Sequence, residues 1–229
     1  MAKNMKTKEL EAKVVALGSQ GVGKTMMITR YIEKTFNNIV RPTIAASYFN
    51  CRVNIGNANI LLKIWDTAGQ ERFRAMAPMY YRNVNVGLLV FDLSDYSTFK
   101  AIKSWVSELR RNVDGPMVLA VIGNKCDLIT KRQVDIEEAR KYATSIGASY
   151  HEISALYCEG VDDVFFAIAL GILQLYGCED NDSLRVDDST SSGVSSTHFV
   201  PLTPSAEDNP QSIKLSVPYA ITEQPWTCC

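Results

Sequence analysis

The sequence predicts an α/β fold in which helices cover both faces of an open, mostly parallel, six-stranded sheet. Strand and helix patterns alternate from Lys13 to about Leu175, and such alternation is typical of α/β proteins. The segments 86–91 and 117–122 are continuous apolar runs, as expected for parallel strands buried on both faces. A turn at 54–59 separates two alternating runs and predicts a hairpin. One edge strand is therefore expected to be antiparallel.

The elements follow from apolar runs, which favour strands, and from helical periodicity between them. Strands are predicted at 13–18, 48–55, 59–65, 86–92, 117–123 and 149–153. Helices are predicted at 23–34, 96–112, 135–146 and 161–175. Ligands of such sheets bind at the carboxyl ends of the strands, so the loops that follow the strands are the places to look for a site.

The loop after the first strand carries the most specific motif. Residues 18–25 read GSQGVGKT, which fits the phosphate-binding pattern G-x-x-x-x-G-K-[ST] between a strand and a helix. Its glycines let the backbone wrap a phosphate, and its N–H groups and the helix N-terminus favour negative charge. Lys24 is expected to reach the β- and γ-phosphates, and the Thr25 hydroxyl to ligate Mg²⁺.

The loop after the third strand supplies a second set of candidates. Asp66 ends that strand, where a carboxylate suits the outer shell of a phosphate-bound Mg²⁺. Gly69 is able to bring its N–H against a γ-phosphate. Gln70 has both a donor and an acceptor, so it is the candidate to hold an attacking water in line.

The loops after the fifth and sixth strands predict a guanine site. Asp127 in the run Asn124-Lys125-Cys126-Asp127 has two oxygens that match the N1–H and 2-amino donors of guanine, which adenine lacks. Asn124 is expected to tie the loops together, and Lys125 to lay its stem along the base. The Ala155 N–H, between Ser154 and Leu156, is expected to bond the guanine carbonyl.

Charge and composition divide the chain. The formal net charge is −1, which gives no general case for nucleic-acid binding. Residues 178–229 hold eight acidic and two basic residues and are rich in Ser and Pro, so they are expected to be a flexible tether. The predicted organisation is a short extension at 1–10, a nucleotide-binding domain at 11–177 and a flexible hypervariable tail at 178–229.

Several classes are excluded at this level. No stretch of 18 apolar residues exists, so we expect no membrane span. The N-terminal residues lack the apolar region of a secretory signal. The six cysteines show no zinc-ligand spacing, and a core of this size needs no disulfides. We therefore expect a cytosolic, reduced chain.

With these motifs together, residues 10–177 resemble a small GTPase of the Rab family in the Ras superfamily. Further family-typical stretches are LKIW at 62–65, RFR at 72–74, YYR at 80–82 and LVFD at 89–92. The run APMYYR at 77–82 is most similar to the endosomal Rab subgroup. The resemblance implies a P-loop NTPase fold and a GTP/GDP switch that hydrolyses GTP with Mg²⁺.

The resemblance adds site residues. Thr43 is implied to complete the Mg²⁺ shell, and Phe36 to pack edgewise on the guanine. The metal set is then Thr25, Thr43 and Asp66, and the catalytic pair is Lys24 and Gln70. The predicted nucleotide contacts are Gln20, Gly21, Val22, Gly23, Lys24, Thr25, Met26, Phe36, Thr43, Gly69, Asn124, Lys125, Asp127, Leu128, Ser154, Ala155 and Leu156.

The resemblance also implies where and with whom the chain acts. Tyr48, Trp65 and Tyr80 match the aromatic triad of the effector surface. The terminal Cys228-Cys229 implies two geranylgeranyl groups, because one lipid beside an acidic tail anchors only marginally. The implied partners are an exchange factor, an activating protein, effectors, a prenylation escort and a GDP-dissociation inhibitor. A monomeric domain, cycling between cytosol and the cytoplasmic face of endosomal or vesicle membranes, is expected.

Three departures keep alternatives open. Gln20 replaces a small residue of the phosphate loop and is expected to slow hydrolysis, which leaves a GTP-loaded, non-hydrolysing scaffold as the alternative. Ala45, Ser47 and Tyr48 alter the effector region. Leu156 stands where many members have Lys. A small phosphotransferase kinase is the second alternative, and the Asn124–Asp127 motif argues against it.

Overall fold

The computed structural model describes residues 8–36, 42–44, 46–69 and 78–176. Six strands make one sheet in this part of the chain. They are β1 (Lys8–Leu17), β2 (Ala46–Ile55), β3 (Ala58–Thr67), β4 (Val86–Asp92), β5 (Val118–Asn124) and β6 (Ser149–Ile153). The predicted Gln70, Cys228 and Cys229, and the tail at 178–229, lie outside the described residues.

The helices lie between the strands, as the alternating pattern predicts. They are α1 (Lys24–Glu33), α2 (Pro78–Tyr81), α3 (Tyr96–Asn112), α4 (Ile136–Ser145) and α5 (Val161–Tyr176). Asp95 caps α3 by accepting from the Ser97 N–H, and Asp135 caps α4 by accepting from two N–H groups of its first turn. These carboxylates satisfy amide donors that a helix start leaves unpaired.

The sheet order is β2-β3-β1-β4-β5-β6. All neighbouring pairs are parallel except the β2–β3 hairpin, which is antiparallel with Tyr48 opposite Trp65. The fold class is therefore confirmed, including the antiparallel strand at one edge. Because β1, β3, β4, β5 and β6 run in the same direction, their carboxyl ends meet at one edge of the sheet.

Two apolar layers hold the sheet between the helices. One layer packs α1 and α5 against one face, with Met27, Ile28 and Phe165 in it, and the other packs α3 and α4 against the opposite face, around Phe91 and Phe99. All seven residues of β4 are buried, which explains its unbroken apolar run. A central strand fixed from both sides is a rigid support for the loops at its edge.

The structure differs from the sequence prediction mainly at element ends. Strand β1 begins at Lys8 rather than at residue 13, because residues 8–16 pair in register with β3. The four-residue helix α2 is absent from the prediction, since so short a segment shows no periodicity. In the part of the chain that the structure describes, no helix is long and apolar enough to cross a bilayer.

Candidate functional site

One cavity of about 490 Å³ lies at the carboxyl edge of the sheet, within the usual range for small-molecule sites. It is lined by Gln20, Gly21, Gly23, Lys24, Thr25, Met26, Phe36, Pro42, Thr43, Gly69, Asn124, Lys125, Asp127, Leu128, Ala155 and Leu156. Loops far apart in sequence thus line a single space. Val22 and Ser154, also predicted, are buried beside the cavity rather than lining it.

The phosphate loop, residues 18–25, has the backbone that its glycines predict. Gly21 and Gly23 have φ of 81° and 97°, a region that side chains disfavour. A Cβ on Gly23 would lie 2.2 Å from Asn124 Nδ2. Helix α1 begins directly afterwards, at Lys24, so its N-terminal N–H groups border the cavity and favour an anion.

Lys24 is held inside this loop. Its Nζ donates to the carbonyl oxygens of Gly18 at 2.8 Å and Ser19 at 3.0 Å. Burial lowers the pKa of Lys24 to about 8, although the nearby Asp66 carboxylate acts in the opposite direction. An anion in the cavity would favour the charged form of this lysine, as its predicted role requires.

Three oxygen-bearing side chains meet at the next point along the cavity. Thr25 Oγ1 donates to Asp66 Oδ2 at 2.6 Å, and Thr43 Oγ1 lies 3.3 Å from that oxygen and 3.0 Å from Thr25 Oγ1. Asp66 is fully buried, yet its Oδ1 has no hydrogen-bond partner. Burial raises the pKa of Asp66, although bonds from both threonines and the Lys24 charge oppose the rise.

This cluster fits a magnesium ion. Mg²⁺ prefers oxygen ligands, keeps several waters and uses one or two carboxylates together with substrate phosphates. The two hydroxyls and the unpartnered carboxylate oxygen supply such a set, and a cation there would favour the charged form of Asp66. Among the described residues no group of three His, Cys, Asp or Glu side chains forms an all-protein metal site, so the phosphates would complete the shell.

Asn124 connects three loops. Its Nδ2 donates to the Val22 carbonyl at 2.8 Å, and its Oδ1 accepts from the N–H groups of Lys125 at 2.8 Å and Ala155 at 3.2 Å. These bonds match the predicted tying role. Val22 does not line the cavity, but its carbonyl accepts the hydrogen bond by which Asn124 holds the phosphate loop.

The base end of the cavity is built around Asp127. Its Oδ1 accepts from Ser154 Oγ at 2.6 Å, which leaves the other carboxylate oxygen and the remaining lone pairs of Oδ1 for a ligand. Ser154 therefore orients Asp127 from behind rather than contacting the cavity. The Ala155 N–H, predicted to bond a base carbonyl, lines the cavity while bonded to Asn124.

Lys125 is fixed by a partner that the sequence analysis does not identify. Its Nζ lies 2.6 Å from Asp92 Oδ2 at the end of β4. Burial alone would raise the pKa of Asp92, but the bonds from Lys125 and Ser94 hold it below its ordinary value. The aspartate that ends an apolar strand beside the motif is the available sequence signal. This pair stretches the lysine stem along the wall of the cavity.

Gly69 brings the loop after β3 against the phosphate loop. A Cβ on Gly69 would lie 2.5 Å from Gln20 N and from the carbonyl carbon of Ser19, closer than atoms in real structures approach. Only glycine allows this contact, as its predicted role against a γ-phosphate requires. Pro42, next to Thr43, also lines the cavity and was not a predicted contact.

The three predicted surface aromatics are in contact. The rings of Tyr48 and Trp65 have centroids 5.2 Å apart, and those of Trp65 and Tyr80 are 5.5 Å apart, all tilted. Tyr48 is exposed and its two partners are half-buried. They form a continuous aromatic patch, which we call the aromatic triad.

Fold and site together define a class of protein. A glycine-rich loop between β1 and α1, at the carboxyl edge of a mostly parallel sheet, is the arrangement of P-loop NTPases. A model of the Ras family matches residues 13–174, and the chain belongs to this family.

Proteins similar to this chain belong to the Rab group within this family. The chain is 42% identical over 162 residues to "Ras-related protein Rab-21" of Homo sapiens, covering 71% of this chain and 72% of the relative. It is 37% identical over 184 residues to "Ras-related protein Rab5" of Nicotiana tabacum, covering 80% and 92%. It is 43% identical over 159 residues to "Ras-related protein Rab-22A" of Homo sapiens, covering 69% and 82%. The predicted resemblance is confirmed: the protein is a Rab-like small GTPase.

Proposed function

We propose that the chain is a magnesium-dependent switch that binds GTP, hydrolyses it slowly to GDP and recruits effectors in endosomal or vesicle traffic. In the GTP state, Thr43 and Gly69 contact the γ-phosphate side of the nucleotide and fix the segments that carry them. Loss of the γ-phosphate removes these contacts and lets both loops relax. The observation that carries the proposal is the single cavity that all four motif loops line.

The chemistry divides among the loops. The backbone donors of the phosphate loop and Lys24 stabilise the charge that develops on the transferred phosphoryl group. Gln70 holds the attacking water in line. Thr25, Thr43 and Asp66 would hold Mg²⁺, which would supply charge neutralisation at the phosphates. The intrinsic rate of GTP hydrolysis is slow, as it is for Ras without its activating protein. An activating protein therefore supplies an arginine to the site.

Base choice rests on Asp127. Its carboxylate accepts from the N1–H and 2-amino groups of guanine, while Ser154 holds it in place. Adenine offers neither donor, so a buried carboxylate would be left unpaired with ATP. Lys125 and Phe36 enclose the base from its faces and edge, and Leu128, Ala155 and Leu156 complete the wall.

The full-length protein, purified with Mg²⁺, tests this proposal. We expect bound guanine nucleotide on extraction and GTP to displace a fluorescent GDP far better than ATP does. Asp127→Asn removes an acceptor and places a donor against guanine donors, so it abolishes the preference. Asp114→Asn, an exposed position away from the cavity, serves as the matched control. A wild-type protein that retains no guanine nucleotide, or binds ATP equally well, contradicts the proposal.

We further propose attachment to the cytoplasmic face of endosomal or vesicle membranes through geranylgeranyl groups on Cys228 and Cys229. The proposed partners are the prenylation escort, the GDP-dissociation inhibitor, the exchange factor, the activating protein and effectors that bind at the aromatic triad. The nucleotide-binding domain itself is proposed to be monomeric. A tagged full chain should localise to vesicles, and removal of the two cysteines should disperse it into the cytosol. Unchanged vesicle localisation after removal argues against lipid anchoring.

Family membership does not favour the alternative of a non-hydrolysing scaffold. Gln20 lies at the phosphate end of the cavity and bears on the rate. The nucleotide recovered from protein purified from cells distinguishes the two functions: mostly GDP supports a hydrolysing switch, and only GTP supports a scaffold.

A further inference from the structure

A cluster of three polar side chains lies behind the base end of the cavity and is not part of its lining. Arg132 Nη1 donates to Glu152 Oε2 at 2.9 Å, and Nη2 pairs with Oε1 of the same carboxylate. The Tyr150 hydroxyl donates to that Oε1 at 2.6 Å. Arg132 Nε donates to the Val134 carbonyl at 2.9 Å. The guanidinium is therefore fixed through all three of its nitrogens.

The cluster joins the two segments that form the base end. Arg132 directly follows the short 3-10 turn Ile129–Lys131, which comes immediately after Asp127 and Leu128. Glu152 lies in β6, two residues before Ser154, whose hydroxyl holds Asp127. The contact between Arg132 and Glu152 thus links the loop that carries Asp127 to the strand that leads to Ser154.

Backbone bonds show that these segments already lie side by side. The Cys126 N–H donates to the Ile153 carbonyl at 3.1 Å, and the Gln133 N–H donates to the Leu93 carbonyl at 2.9 Å. The first bond ties the start of the loop to β6, and the second ties its end to the segment after β4. The side-chain cluster adds the only Arg–carboxylate fork among the described side-chain ion pairs.

The cluster is partly sheltered at its carboxylate, since Arg132 is an exposed residue whereas Glu152 and Tyr150 are partly buried. The side chains of Arg132 and Glu152 are 32% and 20% exposed. Burial alone would raise the pKa of Glu152, but the bonds from Arg132 and Tyr150 hold it below its ordinary value. Bidentate pairs fix orientation as well as adding energy, and removing one partner leaves the other charge uncompensated.

We propose that Arg132, Glu152 and Tyr150 are positioning residues for guanine recognition: they hold Asp127 in register with the base without touching the nucleotide. This inference rests on the proposed function, because it presumes that guanine binds at Asp127. Disturbing the cluster should weaken the contribution of the guanine 2-amino group more than binding of the phosphates.

The test compares GDP with inosine diphosphate, whose base lacks the 2-amino group. The dissociation constants of both nucleotides are measured on full-length protein with Mg²⁺. The constant for inosine diphosphate divided by the constant for GDP reports on Asp127. For Glu152→Gln we expect GDP to bind roughly tenfold more weakly, with a much smaller change for inosine diphosphate. Arg132→Lys keeps the charge but cannot form the fork, so it should lower the ratio too. Tyr150→Phe should lower it least.

The matched control removes another side-chain ion pair. Glu11 and Lys63 pair across β1 and β3, outside the cavity lining, and Glu11→Gln should leave the ratio at the wild-type value. Thermal unfolding of each variant separates positioning from stability. A cluster that is merely structural would lower the melting temperature and weaken both nucleotides equally, and an unchanged ratio in Glu152→Gln overturns the inference.

The two proposals fail in different ways. If the wild-type chain binds no guanine nucleotide, the proposed function is wrong. If the wild-type chain discriminates GDP from inosine diphosphate and the Glu152→Gln and Arg132→Lys variants do so equally well, only the positioning inference is wrong.

Discussion

Asp66 illustrates how much a single residue decides at this site. Its side chain is buried, and its Oδ1 has no hydrogen-bond partner. Burying a polar atom in this way costs free energy in the absence of a ligand. A protein keeps such an orphaned oxygen where a ligand satisfies it. The unpartnered oxygen therefore supports the proposal that this carboxylate and the two hydroxyls beside it hold a cation.

Replacing Asp66 tests this directly. We expect Asp66→Asn to speed GDP release roughly tenfold or more in the presence of Mg²⁺, because the amide cannot supply the negative oxygen that a divalent cation prefers. Chelation by EDTA should accelerate release from the wild-type protein but not further from the variant. Stopped-flow measurement with fluorescent GDP gives both rates. Equal EDTA sensitivity in the two proteins contradicts the assignment.

Gln20 stands in the phosphate loop where the resemblance to the Rab family leads us to expect a small residue. Gly69 lies close to the Gln20 backbone, and Gln70 follows Gly69 directly in the sequence. We expect Gln20→Ser to speed intrinsic hydrolysis, on the order of threefold or more, by clearing space for the attacking water. Single-turnover assays measure it, with the GDP affinity as the control, and an unchanged rate removes the idea.

At the scale of elements, the loops that we propose to bind phosphate and base are predictable because their chemistry is local in sequence. A glycine run followed by Lys24 and Thr25, or Asn124 three residues before Asp127, places all the required groups within a few residues. Continuous apolar runs likewise identify β4 and β5. Sequence patterns therefore predict both the sheet and the positions of its functional loops.

What the sequence does not predict is long-range or lacks periodicity. The Lys125–Asp92 pair joins two loops, and the contact of Arg132 with Glu152 depends on how β6 lies beside the loop after β5. Four of the first six residues of β1 are charged, so only their pairing with β3 identifies them as a strand. Such contacts are set by the tertiary structure rather than by local preference.

The loop after β3 gives a prediction at this scale. A Cβ at Gly69 would lie 2.5 Å from backbone atoms of the phosphate loop, so Gly69→Ala forces the two loops apart. We expect GTP hydrolysis to fall roughly a hundredfold, since a donor to the phosphate is displaced, and the preference for GTP analogues over GDP to diminish. Gly56→Ala is the control: its φ of 55° strains the hairpin turn, but nothing lies within 4 Å of its added Cβ and the position is outside the cavity lining. Normal hydrolysis in Gly69→Ala argues against this contact.

At the scale of the whole molecule, we expect a bound nucleotide to raise the free energy of unfolding. A nucleotide that binds only the folded state stabilises by about 2.7 kcal/mol at a hundredfold excess over its dissociation constant. For a domain of this size that corresponds to roughly 5–10 °C in melting temperature. We expect GDP with Mg²⁺ to produce this shift and ATP with Mg²⁺ to produce none at the same concentration. Calorimetry with each nucleotide checks it, and equal shifts contradict guanine preference.

The hairpin register has a mechanical consequence. Ala46 lies opposite Thr67 in the antiparallel ladder. Strand β2, which begins shortly after Thr43, is therefore hydrogen-bonded to β3, which ends shortly before Gly69. The two segments that we propose to contact the γ-phosphate are thus joined through the backbone ladder of one hairpin. We expect a displacement of one segment to displace the other, so a partner that binds the hairpin would respond to both segments together.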